Sequence, residues 1–201
     1  MIRVLVAEDT GILRDTLVAV LNLQDDLAVV AEARTGDEIV PAVLRHRPDV
    51  AVVDIDLPNL DGITAAAELH EKAPDCRVVI LTGLARPANL RRALAAHVAG
   101  FLVKDAPATA LIDAVRRVAG GERVIDPDLA VTTLRTPENP LTPRETEVLK
   151  RYAAGADAKQ IAAELFLSYG TVRNYLASAM VKLDARNRVD ALRIATEAGW
   201  L

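Results

Sequence analysis

Three short apolar runs in the first half of the chain each end in charged residues, and this pattern restricts the fold more than any other feature. Residues 2–7, 50–53 and 101–103 are followed by Glu8-Asp9, Asp54 and Lys104 respectively. The carboxyl ends of parallel strands meet at one edge of a sheet, where ligands bind in α/β folds. Clustered carboxylates repel one another unless a cation lies among them. The pattern therefore predicts a Mg2+ site with a nucleophilic aspartate, Asp54.

Apolar runs and helical patterns alternate over the first 119 residues. Runs rich in Val, Ile and Leu are typical of strands buried on both faces of a parallel sheet. Alternation of strands and helices of this length predicts a doubly wound α/β domain. The predicted strands are 2–7, 28–33, 50–53, 77–81 and 100–103, and the predicted helices are 11–23, 36–47, 62–73, 87–97 and 108–119.

The last 61 residues show no strand pattern. Thr142, Asp157, Ser168 and Asn187 are residue types that cap helix N-termini, which predicts four short helices. The second and third, at about 158–165 and 169–183, are separated by the three residues 166–168, a helix-turn-helix spacing. Residues 120–140 contain three prolines and a glycine pair, which favours a linker with one short helix at 128–134. The predicted domains are thus 1–119 and 141–201.

Composition sets the remaining bounds. The single cysteine, Cys76, excludes an internal disulfide, is predicted to be a buried small apolar residue, and is consistent with a cytoplasmic location. No apolar stretch approaches the ~18 residues of a membrane helix. His46, His70 and His97 have no partner at metal-ligating spacing and are predicted to be solvated. Residues 141–201 hold nine Lys/Arg and seven Asp/Glu, a net charge of +2 in a chain whose net charge is −4.

The motifs in this order resemble the NarL/FixJ family of two-component response regulators. Residues 1–119 resemble a receiver domain, and residues 137–201 resemble a LuxR-type helix-turn-helix. The resemblance implies a flavodoxin-like, doubly wound, five-stranded parallel sheet followed by a small four-helix domain. In the first half it is carried by Glu8-Asp9, Asp54, Pro58, Gly62, Thr82, Phe101 and Lys104-Asp105. In the second half it is carried by residues 141–145 and 148–149, Ile161-Ala162, Leu165, Ser168, Thr171-Val172, Asn174, Lys182-Leu183 and Arg188.

The resemblance also implies the roles of the receiver residues. Asp54 is the expected phosphoacceptor, and Lys104 is the expected cation on the phosphoryl oxygens. Thr82 is expected to bind the phosphoryl group by its hydroxyl, and Phe101 is the aromatic switch whose rotamer follows Thr82. The expected Mg2+ ligands are Glu8, Asp9, Asp54 and the backbone carbonyl of Asp56.

The third helix of the second domain is the expected recognition helix. Val172, Leu176, Ala179 and Leu183 form an apolar stripe that should face the core. On the other face, Arg173 can pair with guanine and Asn174 with adenine. Phosphate contacts are expected from side chains such as Lys159, Lys182 and Arg188, whereas Tyr175 is either a contact or core. The expected DNA-binding set is Lys159, Tyr169, Arg173, Asn174, Ala177, Lys182 and Arg188.

The function implied is a cytoplasmic transcription regulator of double-stranded DNA, not an enzyme. A sensor histidine kinase is the expected partner, and phosphorylation is expected to drive homodimerisation. Two alternatives stay open: a phosphatase, because Asp54-Ile55-Asp56 has the D-x-D form, and a regulator that works without phosphorylation. Ala85-Arg86-Pro87, residues 171–175 and Gly199-Trp200 further resemble DesR-type regulators of membrane-lipid desaturase genes, which implies a membrane-embedded kinase.

Overall fold

The apolar runs of the first half form one parallel sheet in the computed structural model, which describes residues 1–83, 86–135 and 139–201. The side chains of residues 128, 134 and 135 lie outside the description, as do Ala85 of the DesR-type motif and Pro137 of the expected linker. The strands are β1 (Ile2–Ala7), β2 (Leu27–Ala33), β3 (Val50–Asp54), β4 (Arg77–Thr82), β5 (Gly100–Val103) and β6 (Val124–Ile125). Their spatial order is β2-β1-β3-β4-β5-β6. The chain reverses its direction of crossover between β1 and β3, which is where such sheets bind ligands.

Five helices cover both faces of this sheet. They are α1 (Gly11–Asn22), α2 (Ile39–His46), α3 (Gly62–Lys72), α4 (Pro87–Ala95) and α5 (Ala108–Ala119). One core cluster joins the sheet to α2, α3 and α4, and the other joins it to α1 and α5. The helix predicted at 36–47 begins with a separate 3-10 turn, Gly36–Glu38. A Cβ on Gly36 would lie 1.8 Å from the carbonyl oxygen of Leu60, so the chain passes too close here for any other residue.

The sheet has six strands rather than the predicted five. Val124 and Ile125 pair with Gly100 and Phe101, and two residues are too few to show a strand period in the sequence. A further helix, α6 (Pro127–Arg135), follows. The first compact unit is Met1–Thr133 and the second is Leu134–Leu201. The segment predicted as a linker therefore contributes a strand and most of a helix to the first unit.

The second unit contains four helices that begin at the predicted caps. They are α7 (Pro143–Ala153), α8 (Ala158–Glu164), α9 (Tyr169–Lys182) and α10 (Arg188–Glu197). Side-chain oxygens of Thr142, Asp157, Ser168 and Asn187 accept hydrogen bonds from the first-turn backbone N–H groups. Their core is apolar and includes Val148, Leu149, Ile161, Val172 and Leu176. No helix among the described residues combines the length and the apolar character needed to cross a bilayer.

Candidate functional site

Three carboxylates meet at the carboxyl edge of the sheet, as the sequence predicted. Glu8 and Asp9 follow β1, and Asp54 is the last residue of β3. Each offers an oxygen within 4.8 Å of the others, and this is the one such acidic or metal-ligating group of three or more in the described chain. Glu8 and Asp54 are buried, whereas Asp9 is exposed. Asp56 is exposed two residues beyond Asp54. The cluster is thus accessible to solvent at Asp9, whereas Glu8 and Asp54 are shielded from it.

Lys104 places its ammonium between two of these carboxylates. Its Nζ lies 2.9 Å from Asp54 Oδ2 and 2.8 Å from Glu8 Oε2. Burial is the largest single influence on the pKa of Lys104 and lowers it, but the contacts with Asp54 and Glu8 together outweigh it, so the pKa is raised above its ordinary value. The backbone N–H of Lys104 donates to the carbonyl of Thr82, 2.8 Å away, which fixes the lysine to the end of β4. The lysine is therefore a fixed cation at the site.

Gly62 allows the chain to pass close behind Asp54. A Cβ at this position would lie 1.9 Å from the backbone oxygen of Asp54. The N–H of Gly62 donates to the carbonyl of Ile55, and Asp61 caps α3 by accepting from the N–H groups of Ile63 and Thr64. The loop after β3 is thus held against the strand end by its glycine and its helix cap.

Arg14 supports the site and was missed by the sequence reasoning. This arginine of α1 is buried, its Nη1 donates to the backbone oxygen of Glu8 at 3.0 Å, and its Nε lies 3.2 Å from Glu32 Oε2. Its position was a signal, because Arg14, Leu17 and Leu21 follow the helical period and so share the buried stripe of α1. A charged residue on such a stripe needs hydrogen-bonded or oppositely charged partners. Arg14 thus anchors the chain at the residue that supplies one of the carboxylates.

Thr82 and Phe101 lie on the neighbouring strands β4 and β5. Both side chains are buried, Thr82 at the end of β4 and Phe101 on β5. Phe101 belongs to the core cluster against which Leu129 of α6 packs, and both residues line a cavity of about 430 Å³. Arg91 of α4 donates to the backbone oxygen of Thr133 in α6. The surface next to Phe101 is therefore covered in part by α6, a contact that the sequence did not indicate.

The carboxylates have the chemistry of a Mg2+ site. Asp54 Oδ1 is buried and has no hydrogen-bond donor among the described residues, whereas Glu8 Oε2 is buried with the ammonium of Lys104 2.8 Å away. Buried anionic oxygens without donors are destabilising unless a cation compensates them. Hard carboxylate oxygens are the ligands that Mg2+ prefers. The residues present fit this ion.

The helix-turn-helix expected in the second unit is present as α8 and α9. Val172, Leu176 and Ala179 of α9 are buried, as the predicted stripe required, and Leu183 is buried just beyond the helix end. The opposite face exposes Tyr169, Arg173, Asn174 and Ala177. The guanidinium of Arg173 lies 5.9 Å from the ring centre of Tyr169, so the two side chains lie side by side at the N-terminal part of the helix.

Other expected DNA contacts have partners inside the domain. Lys182 Nζ lies 2.7 Å from Glu145 Oε2, and the guanidinium of Arg188 lies 5.8 Å from the ring centre of Tyr152. Lys159 is exposed in the first turn of α8. Tyr175 is half-buried and packs against the core cluster of the domain, which favours its core interpretation. Among the residues expected to contact DNA, those in the N-terminal part of α9 are exposed together on one face of the helix.

Comparisons with known proteins agree with this geometry. Residues 4–116 match the response regulator receiver domain, and residues 139–195 match the bacterial regulatory proteins of the luxR family. The uncharacterized transcriptional regulatory protein YvfU of Bacillus subtilis is 43% identical over the full length of both chains. The transcriptional regulatory protein DesR of the same organism is 42% identical over 100% of this chain and 99% of its own. Because the two identities are nearly equal, they do not single out the DesR-type target.

A solved structure extends the likeness to a DNA complex. The two-component response regulator RcsB, bound to DNA, is 25% identical with a TM-score of 0.64. The match covers 97% of this chain and 98% of that one. It therefore spans both units rather than one domain alone.

Proposed function

This chain belongs to the response regulators that join a receiver domain to a LuxR-type DNA-binding domain, and we propose that phosphorylation of Asp54 controls its activity. It is a DNA-binding transcription regulator, and its full-length relatives YvfU and DesR are transcriptional regulatory proteins. The observation that carries the proposal is the position of Asp54. Its carboxylate is buried at the carboxyl end of β3, next to Glu8 and the ammonium of Lys104. We further propose a sensor histidine kinase as the phosphodonor and a cytoplasmic location for the protein.

Asp54 acts as the nucleophile in this proposal. A carboxylate oxygen attacks the phosphorus of a phosphohistidine, the P–N bond breaks, and the imidazole leaves with its electron pair and takes a proton. Asp54 then carries an acyl phosphate. Glu8, Asp9, Asp54 and the backbone carbonyl of Asp56 are the proposed ligands of Mg2+, which when bound offsets negative charge on the phosphoryl oxygens. The ammonium of Lys104, already beside Asp54 Oδ2, pairs with one of those oxygens.

Thr82 and Phe101 are the proposed switch residues. A phosphoryl group on Asp54 offers new acceptors to the Thr82 hydroxyl, and movement of Thr82 makes room for the Phe101 ring. Phe101 and Leu129 line the same cavity, so a shift of the Phe101 ring changes how α6 packs against the receiver domain. A modification that alters the relative stability of two existing states shifts their populations. The proposed consequence is a receiver surface that self-associates.

Dimerisation supplies the DNA affinity that a single copy lacks. Phosphate neutralisation provides much of the affinity for DNA, and residues 141–201 carry a net charge of only +2. A symmetric dimer presents two α9 helices to an inverted repeat. Tyr169, Arg173, Asn174 and Ala177 are the proposed contacts in the major groove. Lys159, Lys182 and Arg188 are the proposed phosphate contacts, and for Lys182 this requires sharing its charge with Glu145.

Sizing of the full chain by light scattering tests the proposal. With Mg2+ and beryllofluoride, which mimics an acyl phosphate, we expect the wild-type protein to double its mass and to bind operator-like DNA more tightly. Asp54→Asn keeps the shape of the side chain but should stay monomeric under the same conditions. Asp25→Asn is the matched control, because Asp25 is exposed and has no partner among the described residues. An Asp54→Asn protein that dimerises like the Asp25→Asn control would refute the proposal.

A further inference from the structure

A basic pocket lies at the amino edge of the sheet, on the side opposite Asp54. Arg77 begins β4, Arg123 precedes β6, His70 lies in the last turn of α3, and His97 follows α4. These four side chains line one pocket of about 260 Å³. Its other lining residues are neutral: Ala66, Pro74, Cys76, Val78, Ala96, Ala99 and Gly121. A pocket with four basic side chains and no carboxylate in its wall has the electrostatics of an anion site.

The two arginines have no charge partner of their own. Neither guanidinium has an ion pair or a hydrogen-bonded acceptor in the part of the chain that the structure describes. Glu122, which precedes Arg123, lies 2.9 Å from Arg117 instead. The turn at Gly121 has a positive φ of 97°, and a Cβ there would lie 3.5 Å from the guanidinium of Arg77. Arg77 and Arg123 are both exposed, so their guanidinium groups are accessible from the pocket.

The two histidines are exposed, as the sequence predicted, and their rings also stack against each other. Their ring centres are 3.9 Å apart and the ring planes differ by 16°. Each imidazole has an N–H donor in its neutral form. The stack thus presents donors from two different helix ends to one pocket.

A metal ion is the competing occupant, and the charges argue against it. Cys76 and the two histidines are metal-ligand types, but they do not form a group of three with ligand atoms in mutual reach within the described residues. Burial, together with the charge of Asp49, raises the pKa of the Cys76 thiol to about 12, so the thiolate that a metal needs is not formed. The two unpaired arginines repel a cation.

We propose that this pocket binds a small phosphate-bearing molecule, with Arg77 and Arg123 as the charged contacts and His70 and His97 as donors. Guanidinium groups match the geometry of phosphate oxygens and bind them by paired N–H donors. The site is independent of Asp54, because its residues lie at the opposite edge of the sheet. Ligand binding here gives the receiver an input other than phosphorylation.

Proton NMR of the imidazoles in the full chain tests the site with pyrophosphate as the probe. The chain has three histidines, and His46 in α2 is an internal control. At constant pH and ionic strength without Mg2+, we expect saturable shifts for His70 and His97 and none for His46. Arg77→Gln and Arg123→Gln should each weaken binding about tenfold, since each removes a charge-assisted hydrogen bond. Arg45→Gln, an exposed arginine of α2 without a partner, should bind like wild type.

Three outcomes would overturn the site. Shifts of all three histidines that grow linearly with pyrophosphate would show general screening. Equal binding by Arg77→Gln, Arg123→Gln and Arg45→Gln, each checked for an unchanged unfolding midpoint, would show that the arginines are not contacts. Equal binding of malonate would show that the pocket does not select phosphate.

Discussion

Replacement of Glu145 by glutamine should destabilise the DNA-binding domain, and the structure gives the reason. This carboxylate of α7 is buried and receives three donors: the N–H of Thr142 at 2.6 Å, the hydroxyl of Ser178 at 2.6 Å and the ammonium of Lys182 at 2.7 Å. The last two belong to α9. Glu145 therefore joins the cap of α7 to α9.

The size of the effect follows from the pKa of Glu145. Burial opposes ionisation and is the largest single influence, but Lys182, Ser178 and Thr142 outweigh it and lower the pKa from 4.5 to about 2. This shift corresponds to at most roughly 3 kcal/mol of folding free energy. The side chain of Lys182 is 35% exposed, so water screens the pair, and we expect about 1–2 kcal/mol.

The pH dependence has a defined sign. Because the folded pKa lies below the unfolded one, the stabilisation is complete above pH 4.5 and is lost as the pH falls toward about 2. The difference in unfolding free energy between wild type and Glu145→Gln should therefore shrink over that window. Glu147→Gln on the same helix is the control, since its half-exposed ion pairs contribute little.

Urea unfolding followed by tryptophan fluorescence measures this difference. Trp200 is the single tryptophan and packs against the core of the second unit, so it reports on that unit within the full chain. A Glu145→Gln loss equal to that of Glu147→Gln, or a loss that is the same at pH 7 and pH 3, would refute the reasoning.

Three further predictions concern the site and its supports. Gly62→Ala should lower the unfolding free energy by about 2 kcal/mol or more, because the new Cβ would collide with the Asp54 backbone. Gly83→Ala is the control, since a Cβ there has no neighbour within 4 Å, and thermal unfolding compares the two variants. Arg14→Met should destabilise by roughly 2 kcal/mol and weaken Mg2+ binding, since the Glu8 carbonyl loses its donor; unchanged Mg2+ affinity by titration calorimetry would contradict this. Ser168→Ala removes the N-cap of α9 and should cost about 1 kcal/mol in urea unfolding of the second unit, with operator affinity falling in parallel.

Features that depend on residues close together in the sequence could be predicted from the sequence. The five apolar runs became β1 to β5 with bounds within one residue, because burial on both faces leaves a continuous apolar signal. The four caps of the second unit were visible because capping involves residues two or three positions apart. β6 was not visible, since its two residues are strand only through pairing with β5.

The sequence by itself determined the order of strands and helices, the acidic residues at strand ends and the buried stripe of α9. Only the tertiary structure decided that Lys104 lies between Glu8 and Asp54, that Arg14 holds the Glu8 carbonyl, that His70 stacks on His97 and that Lys182 pairs with Glu145. The physical reason is the range of the interactions. Periodicity and capping act within a few residues, whereas these contacts join residues far apart in the chain, and their distances are set by strand order and helix packing.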